Sequence, residues 1–110
     1  MLIEQVIKEY LDEELSVDAF LEIPDPLPES FVVFRVADRG KTDQIEMATV
    51  EILSYAQSKY AAAALDEEVR ELMEEIASRP DIACRFGGGS DSNDSTLKMY
   101  RYRCYINLYF

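Results

Sequence analysis

The N-terminal residues repeat in a pattern typical of an amphipathic helix. Apolar residues occur in adjacent pairs four positions apart, and the positions between them are mostly charged. The pairs are Leu2 and Ile3, Val6 and Ile7, and Tyr10 and Leu11, with Leu15 closing the series. This spacing forms one apolar stripe and leaves the charged positions in water. We therefore predict a first helix over residues 2–15 whose stripe packs on a sheet.

The residues around 31–55 have the composition of a hairpin at the centre of a sheet. Residues 31–37 and 45–55 are rich in β-branched and aromatic side chains, and both alternation phases are apolar. Arg35 is the exception and should reach an edge or a partner. Residues 38–42 are predicted as the turn, with Gly40 available for a positive φ. The apolar phase shifts around Thr49 and Val50, which indicates a bulge or burial on both faces.

The segment before the hairpin predicts a short strand and a stiff connector. Residues 16–23 are strand-like, and Pro24, Pro26 and Pro28 then favour extended, unpaired backbone. A polyproline recognition ligand is the alternative interpretation of this connector.

A second helix is predicted after the hairpin. Ser58 is the preferred N-cap, and Ser54 with Gln57 is a rival capping box. The helix runs through residues 61–64 with an acidic outer face, and Pro80 ends it. Its buried stripe is predicted to consist of Leu65, Val69, Leu72, Met73 and Ile76.

The C-terminal region predicts two strands separated by a flexible loop. Residues 82–86 form the first strand, residues 87–94 the Gly-rich loop, and residues 96–110 a long final strand. In the final strand, Arg101, Arg103 and Asn107 lie opposite an apolar face. That face consists of the even positions Tyr100, Tyr102, Cys104, Ile106, Leu108 and Phe110. The tyrosines there suit either a sheet face or a subunit interface.

Together these elements predict an α+β fold in a single domain over residues 1–110. Two helices pack on a mainly antiparallel sheet of four to five strands, in the order α-β-β-β-α-β-β. A chain of 110 residues can bury a core without covalent staples. Cys84 and Cys104 are too few for a disulfide scaffold, and we expect both to be reduced.

The charge of the chain is strongly acidic and unevenly distributed. Asp and Glu number 22 against 11 Lys and Arg, for a net charge of -11, which disfavours direct nucleic-acid binding. The acids concentrate in residues 9–14 and 66–75, whereas residues 97–110 contain Lys98, Arg101 and Arg103 and no acid. This asymmetry suits self-association through surfaces of opposite sign. Ordinary solvated helix faces beside a basic sheet face are the alternative.

The sequence predicts no catalytic, cofactor or metal site. The chain has no His, and the glycines at 87–89 lack the Lys and Ser or Thr of a phosphate loop. Asp91, Asn93 and Ser95 imitate the start of a calcium loop, but Thr96 and Tyr102 occupy the positions that require Gly and Glu. We predict that the protein is not an enzyme. No apolar run is long enough to span a bilayer, and the N-terminus has neither signal-peptide nor anchor character.

Five short motifs follow one another along the chain: IPDP at residues 23–26, ESFVV at 29–33, VEILSYA at 50–56, AAAA at 61–64, and FGG at 86–88 ahead of residues 100–108. Taken in order, they resemble the tail-terminator and tail-completion proteins of phages with long, non-contractile tails. The resemblance covers nearly the whole chain. Residues 38–42 differ from the Arg-Thr-Gly-Gly type common in that family, and an acidic Ser-rich segment replaces a Pro-containing loop after Gly88.

The resemblance implies a non-enzymatic virion protein, from a phage or prophage, that forms a ring on the tail tube. The ring, expected to be a hexamer, would stop tube growth and join the tube to the head connector. It would lie at the head-proximal end of the tail and assemble in the bacterial cytoplasm. Contacts with neighbouring copies or partners are then expected at Arg39, Gly40, Lys41, Gly87, Gly88, Asp91, Asp94, Arg101 and Arg103. The alternative is a small ligand-binding or regulatory α+β module that acts as a dimer.

Overall fold

The structure is a computed structural model that describes residues 2–42, 45–76, 82–91 and 99–110. Over these residues, two helices and five strands follow one another in the predicted order, and the α+β class is confirmed. The elements are α1 (Ile3–Glu14), β1 (Ala19–Phe20), β2 (Phe31–Thr42), β3 (Ile45–Ala56), α2 (Lys59–Ile76), β4 (Ala83–Asp91) and β5 (Tyr100–Tyr109).

The sheet is built around the β2–β3 hairpin. Its strand order is β1-β2-β3-β5-β4, so β3 is the central strand. β1 runs parallel to β2, and the other pairs are antiparallel. The two hairpin strands contain 12 residues each, which corresponds to a length of about 40 Å. The hairpin thus accounts for the elongated dimensions of 44 × 23 × 23 Å.

The main core lies between the two helices and one face of the sheet. From α1 it takes Ile3, Ile7 and Leu11, the second member of each apolar pair, and all three are buried. From α2 it takes the predicted stripe, although Leu72 is only partly buried. The strands contribute Val32, Phe34, Val50, Ile52, Cys104, Ile106 and Leu108. Burying each large apolar side chain contributes about 1.5–3 kcal/mol, so this core holds both helices on one face of the sheet.

Ser58 caps the second helix, as predicted. The Ala61 amide donates a hydrogen bond to Ser58 Oγ over 3.1 Å, and the Ala62 amide bonds the Ser58 carbonyl over 3.0 Å. Ser54 belongs to β3, because the strand continues to Ala56. The rival capping box is therefore wrong. The predicted stop at Pro80 lies outside the described residues.

The predicted turn at residues 38–42 is wrong, because β2 remains paired with β3 as far as Thr42. Gly40 lies opposite Met47, and Lys41 lies opposite Glu46. The predicted bulge is present, but on the partner strand. The register shifts between Val36 and Asp38, which face Val50 and Thr49, so one extra residue is accommodated in β2.

The predicted strand over residues 16–23 is reduced to Ala19–Phe20. The preceding backbone is bound to α2, since the Ser16 amide and hydroxyl both donate to the Glu68 carboxylate over 2.9 Å. The Asp18 carbonyl then accepts the Val32 amide over 3.1 Å and brings the chain beside β2. The connector contains no helix or strand over residues 21–30.

The predicted loop over residues 87–94 is wrong in its first half. β4 continues through the three glycines to Asp91; residues 88–91 pair with β5, and Gly87 is the extra residue of a bulge. The register shifts between Phe86 and Gly88, and Gly88 has a φ of 136°. A bulge with a left-handed glycine lets the ladder continue where the local sequence is typical of a loop. The final strand is Tyr100–Tyr109, and residues 92–98, which include Asp94, lie outside the described residues.

Replacing Gly88 by Ala should lower the free energy of unfolding by about 2 kcal/mol, because an L side chain is strained at this φ. Gly87 is the matched control on the same strand. A Cβ there would lie 3.5 Å from Asn107 Nδ2, an ordinary contact, and Gly87→Ala should change the stability by less than about 0.5 kcal/mol. Urea unfolding of both variants measures the difference. Equal losses would contradict the assigned conformation.

Candidate interaction surface

One face of the sheet is left free by both helices, and we call it the open sheet face. Cross-strand register places its residues in rows: Phe31 beside Tyr55 and Arg101, then Val33 beside Leu53 and Arg103. Arg35 and Glu51 form the next row with Tyr105, and Arg85 is paired with Asn107 further along. The open sheet face therefore consists of an aromatic part and a part that carries arginines.

The aromatic part is a small second core. The rings of Phe31 and Tyr55 are stacked, with centroids 4.6 Å apart and planes 9° apart. Phe20 packs edge-on against Phe31 at 6.2 Å. The Arg101 guanidinium lies 5.8 Å from the Tyr55 ring centroid, and Arg101 Nη1 donates to Tyr55 Oη over 3.3 Å. A cation–π contact of this kind contributes about 0.5–1 kcal/mol, so the buried rings hold Arg101 in place.

Two further arginines are fixed by the buried carboxylate of Glu51. Arg35 Nε donates to Glu51 Oε1 over 2.9 Å, and Arg103 Nε lies at an ion-pair distance of 3.5 Å from Oε2. The Glu51 side chain is 5% exposed, whereas Arg35 and Arg103 are 66% and 35% exposed. Because a guanidinium has five N–H donors, both arginines can bind Glu51 and still present donors to solvent. Arg85 is exposed on the neighbouring strand.

Arg101 and Arg103, both predicted as contact residues, are thus brought together on the open sheet face. Gly87 and Gly88 lie beside them on β4, exposed and next to Tyr105. Asp91 ends β4 opposite Tyr102. Asp94 lies outside the described residues.

The other predicted contact residues, Arg39, Gly40 and Lys41, lie at the opposite end of the hairpin. All three are exposed, and Arg39 forms an ion pair with Glu4 of α1. Gly40 borders a cleft of about 70 Å³ that is also lined by Ile3, Arg39, Glu46, Met47, Ala48 and Phe110. About nine residues of β3 separate this end from the Arg101 row, a distance of about 30 Å. The predicted residues therefore form two separate surfaces.

Sequence reasoning missed Glu51 and Tyr55. It identified Arg35 as a charge that needs a partner, and the structure supplies Glu51 on the neighbouring strand. The sequence did contain a signal for this ion pair, because Arg35 and Glu51 carry opposite charges and each interrupts an apolar strand of the same hairpin. Their alignment also depends on the extra residue between Val36 and Asp38, which the local pattern does not position.

A second buried ion pair lies on the helix-covered side. Asp66 Oδ2 is 2.9 Å from Arg70 Nε, one helical turn away, and the Asp66 side chain is 8% exposed. Burial raises the pKa of the Asp66 carboxyl, and the positive charge of Arg70 acts against that rise. Gly89 makes room for Arg70, since a Cβ there would lie 1.8 Å from Arg70 Nη2. Asp66 is thus an exception to the predicted acidic outer face of α2.

Cys84 and Cys104 are free thiols in the structure. Burial raises the pKa of each to about 11, and the negative charges of Glu74 and Asp66 act in the same direction on Cys84 and Cys104 respectively. A thiol with such a pKa carries little of the nucleophilic thiolate at neutral pH.

A larger cleft of about 340 Å³ lies between α2 and the segment that leads into β1. It is lined by Ser16, Val17, Ser30, Tyr60, Ala61, Ala64, Leu65 and Glu68. Neither buried carboxylate, Glu51 or Asp66, lines it. Within the described ranges, no three His, Cys, Asp or Glu side chains are grouped so that they could hold a metal ion. No helix of the described chain is long and apolar enough to cross a membrane.

No protein-family profile matches the chain, and no characterised protein shows significant sequence similarity to it.

Proposed function

We propose that the protein is a non-enzymatic virion assembly protein that caps the phage tail tube as a ring and joins it to the head connector. The observation that carries the proposal is the open sheet face, where exposed arginines are fixed in place on a chain of net charge -11. Fixed charges at a sheet face suit recognition of another protein surface. The ordered motifs that resemble tail-terminator proteins are the reason for assigning this surface to assembly of a phage tail.

The pairing of the buried carboxylates and the raised pKa of the thiols support a protein that acts through its outer surfaces. Among the described residues, the carboxylates of Glu51 and Asp66 are buried; each is engaged by arginine, and neither lines either of the two clefts described above. Both thiols have a pKa of about 11. None of these groups is arranged with a base or an oxyanion-binding group as a nucleophile requires.

The architecture also allows one copy to contact a neighbouring copy of the ring and a tube or connector subunit through separate surfaces. The hairpin end with Arg39 and Lys41 lies about 30 Å from the Arg101 row, so one copy can use both surfaces at once. The acidic balance fits a ring through which DNA passes, because carboxylates repel phosphates and do not retain them.

Replacing Arg101 and Arg103 together by Glu should raise the concentration needed for self-association by at least about tenfold, the equivalent of 1.4 kcal/mol. Light scattering over a concentration series measures the effect, and circular dichroism checks the fold. Lys8→Glu with Lys59→Glu is the control, since it changes the net charge equally on the helix side. Unchanged association of the Arg101 and Arg103 variant would remove these two residues from the interface.

A second candidate function is a small ligand-binding or regulatory module that acts as a dimer. The 340 Å³ cleft favours it, because that volume falls within the range of about 300–1,000 Å³ typical of ligand pockets. A thermal-shift screen tests it, since a ligand that binds only the folded state raises the melting temperature. Ala64→Arg, which places a charged side chain at the cleft, should abolish such a shift.

A further inference from the structure

We infer that the open sheet face binds the acidic outer face of α2 in a second copy of the chain. This inference rests on the proposed ring and names the two surfaces that meet in it. The arginines Arg35, Arg85, Arg101 and Arg103 form one side of the contact. The other side is the acidic stripe of α2, defined by Glu67, Glu71, Glu74 and Glu75, all of which are exposed.

The acidic stripe follows one side of the helix. Its members lie at positions i, i+4, i+7 and i+8, opposite the buried residues that face the sheet. Glu67, Glu71 and Glu75 follow one another at four-residue intervals, which is about 6 Å along the helix axis. Among the described residues, no basic side chain forms an ion pair with these four glutamates. Their mutual repulsion is relieved when a cationic surface binds them.

The arginines of the open sheet face have a similar spacing. Arg101 and Arg103 are two residues apart on β5, which corresponds to about 7 Å. Arg85 lies on the adjacent strand β4 opposite Asn107, and Arg35 lies two strands from β5, in the row of Glu51 and Tyr105. Guanidinium groups bind carboxylates through paired N–H donors, so the near match of 6 and 7 Å lets two glutamates meet two arginines.

The first helix is a weaker partner for this surface, because part of its acidic charge is already engaged. Lys8 Nζ donates to both oxygens of Asp12, over 2.8 and 2.7 Å. Glu4 forms an ion pair with Arg39. The acidic stripe of α2 has no such internal compensation within the described chain, which makes it the better match for the arginines.

The two surfaces cannot meet within one molecule. α2 packs on β5 and β3 from the helix-covered side, while Arg101 and Arg103 project from the other side of β5. The sheet itself therefore separates the acidic stripe from the arginines. Different surfaces on opposite sides produce a head-to-tail contact, which closes into a ring when the rotation between copies allows it. Because both surfaces are exposed, the contact should weaken as salt concentration rises.

A charge-swap experiment on the full chain tests this pairing. One variant combines Arg101→Glu with Arg103→Glu, and a second combines Glu67→Lys with Glu71→Lys. The matched control combines Glu13→Lys with Glu14→Lys, which makes the same charge change on α1.

Sedimentation over a concentration series at low and high salt measures the assembly of each variant and of the equimolar mixture of the two charge-reversed variants. Circular dichroism checks folding, and Glu67→Gln with Glu71→Gln provides a milder variant.

Each reversed variant alone should require at least about a tenfold higher concentration to assemble than the wild type. The mixture should assemble at the wild-type concentration, because every contact between the two variants is again complementary. The α1 control should assemble at the same concentration as the wild type. The variant with Glu67→Gln and Glu71→Gln should require a concentration between those of the wild type and the Glu67→Lys, Glu71→Lys variant.

Wild-type assembly by the Glu67 and Glu71 variant, or no recovery in the mixture, would overturn the pairing and leave the ring proposal standing. A wild-type chain that stays monomeric at every concentration and low salt would overturn both. Recovery in the mixture without any effect of the wild type on tail tubes would support the pairing and contradict the proposed function.

Discussion

Replacing Phe31 by Ala should lower the free energy of unfolding by about 4 kcal/mol and loosen Arg101 on the open sheet face. Phe31 is fully buried, stacks on Tyr55 and receives the edge of Phe20. Removing its ring opens a cavity in a cluster whose other described members are Val33, Tyr55, Met99, Phe20 and Leu53. Tyr55 then loses the support that holds it beneath Arg101.

Phe34→Ala is the matched control, because Phe34 is equally buried on the same strand but faces the helices. Both variants should lose similar stability in urea unfolding followed by tyrosine fluorescence. Under conditions where both remain folded, only Phe31→Ala should also weaken self-association in light scattering. A stability loss below about 1 kcal/mol for Phe31→Ala, or equal association of the two variants, would contradict the role given to the aromatic part.

Replacing Arg70 by Met should lower the free energy of unfolding by about 3 kcal/mol at neutral pH, because it leaves the Asp66 carboxylate buried without its partner. The loss of stability caused by Arg70→Met should increase as the pH rises. Burial already raises the pKa of Asp66 above its ordinary value of 3.8, and loss of Arg70 removes the influence that lowers it. Because the Asp66 carboxyl has a higher pKa in the folded state than in the unfolded state, its contribution to stability is fully present at pH values below the unfolded-state pKa. That contribution is lost as the pH rises through the folded-state pKa.

Urea unfolding at pH 4 and pH 8 measures this dependence. The loss caused by Arg70→Met should be smaller at pH 4, where Asp66 in the variant takes up a proton. Combining it with Asp66→Asn removes the titrating group, so the double variant should be more stable than Arg70→Met at pH 8. A cost that is the same at both pH values would show that the ion pair does not govern this site.

Helices and alternating strands could be predicted because their signals are local. The four-residue spacing of α1 and the even-position face of β5 both follow from burial of one side of a regular element. Strand ends could not be predicted in the same way. Gly40 and Gly87 to Gly89 are typical turn residues, yet the strands that contain them continue in the sheet, with a bulge at Gly87 and a left-handed φ at Gly88.

The candidate site was predictable only in part, for a related reason. Arg101 and Arg103 follow from the alternation of one strand. Glu51 and Tyr55 join them through the register of β3 with β5, and Arg35 joins Glu51 through the register of β2 with β3, which a bulge between Val36 and Asp38 shifts by one residue. Asp66 turns inward against the acidic pattern of α2, because Arg70 and the space at Gly89 lie on that side.

Polymerisation of the tail tube in the presence of the purified chain tests the central proposal most directly. We expect a major tail protein to be encoded beside this chain and to serve as the tube subunit, and electron microscopy measures tube length and the structure of tube ends. Wild-type chain should shorten the tubes and leave a ring at one end, and the variant with Arg101→Glu and Arg103→Glu should do so only at higher concentration. Unchanged tube lengths with bare ends at saturating wild-type chain would contradict the proposal.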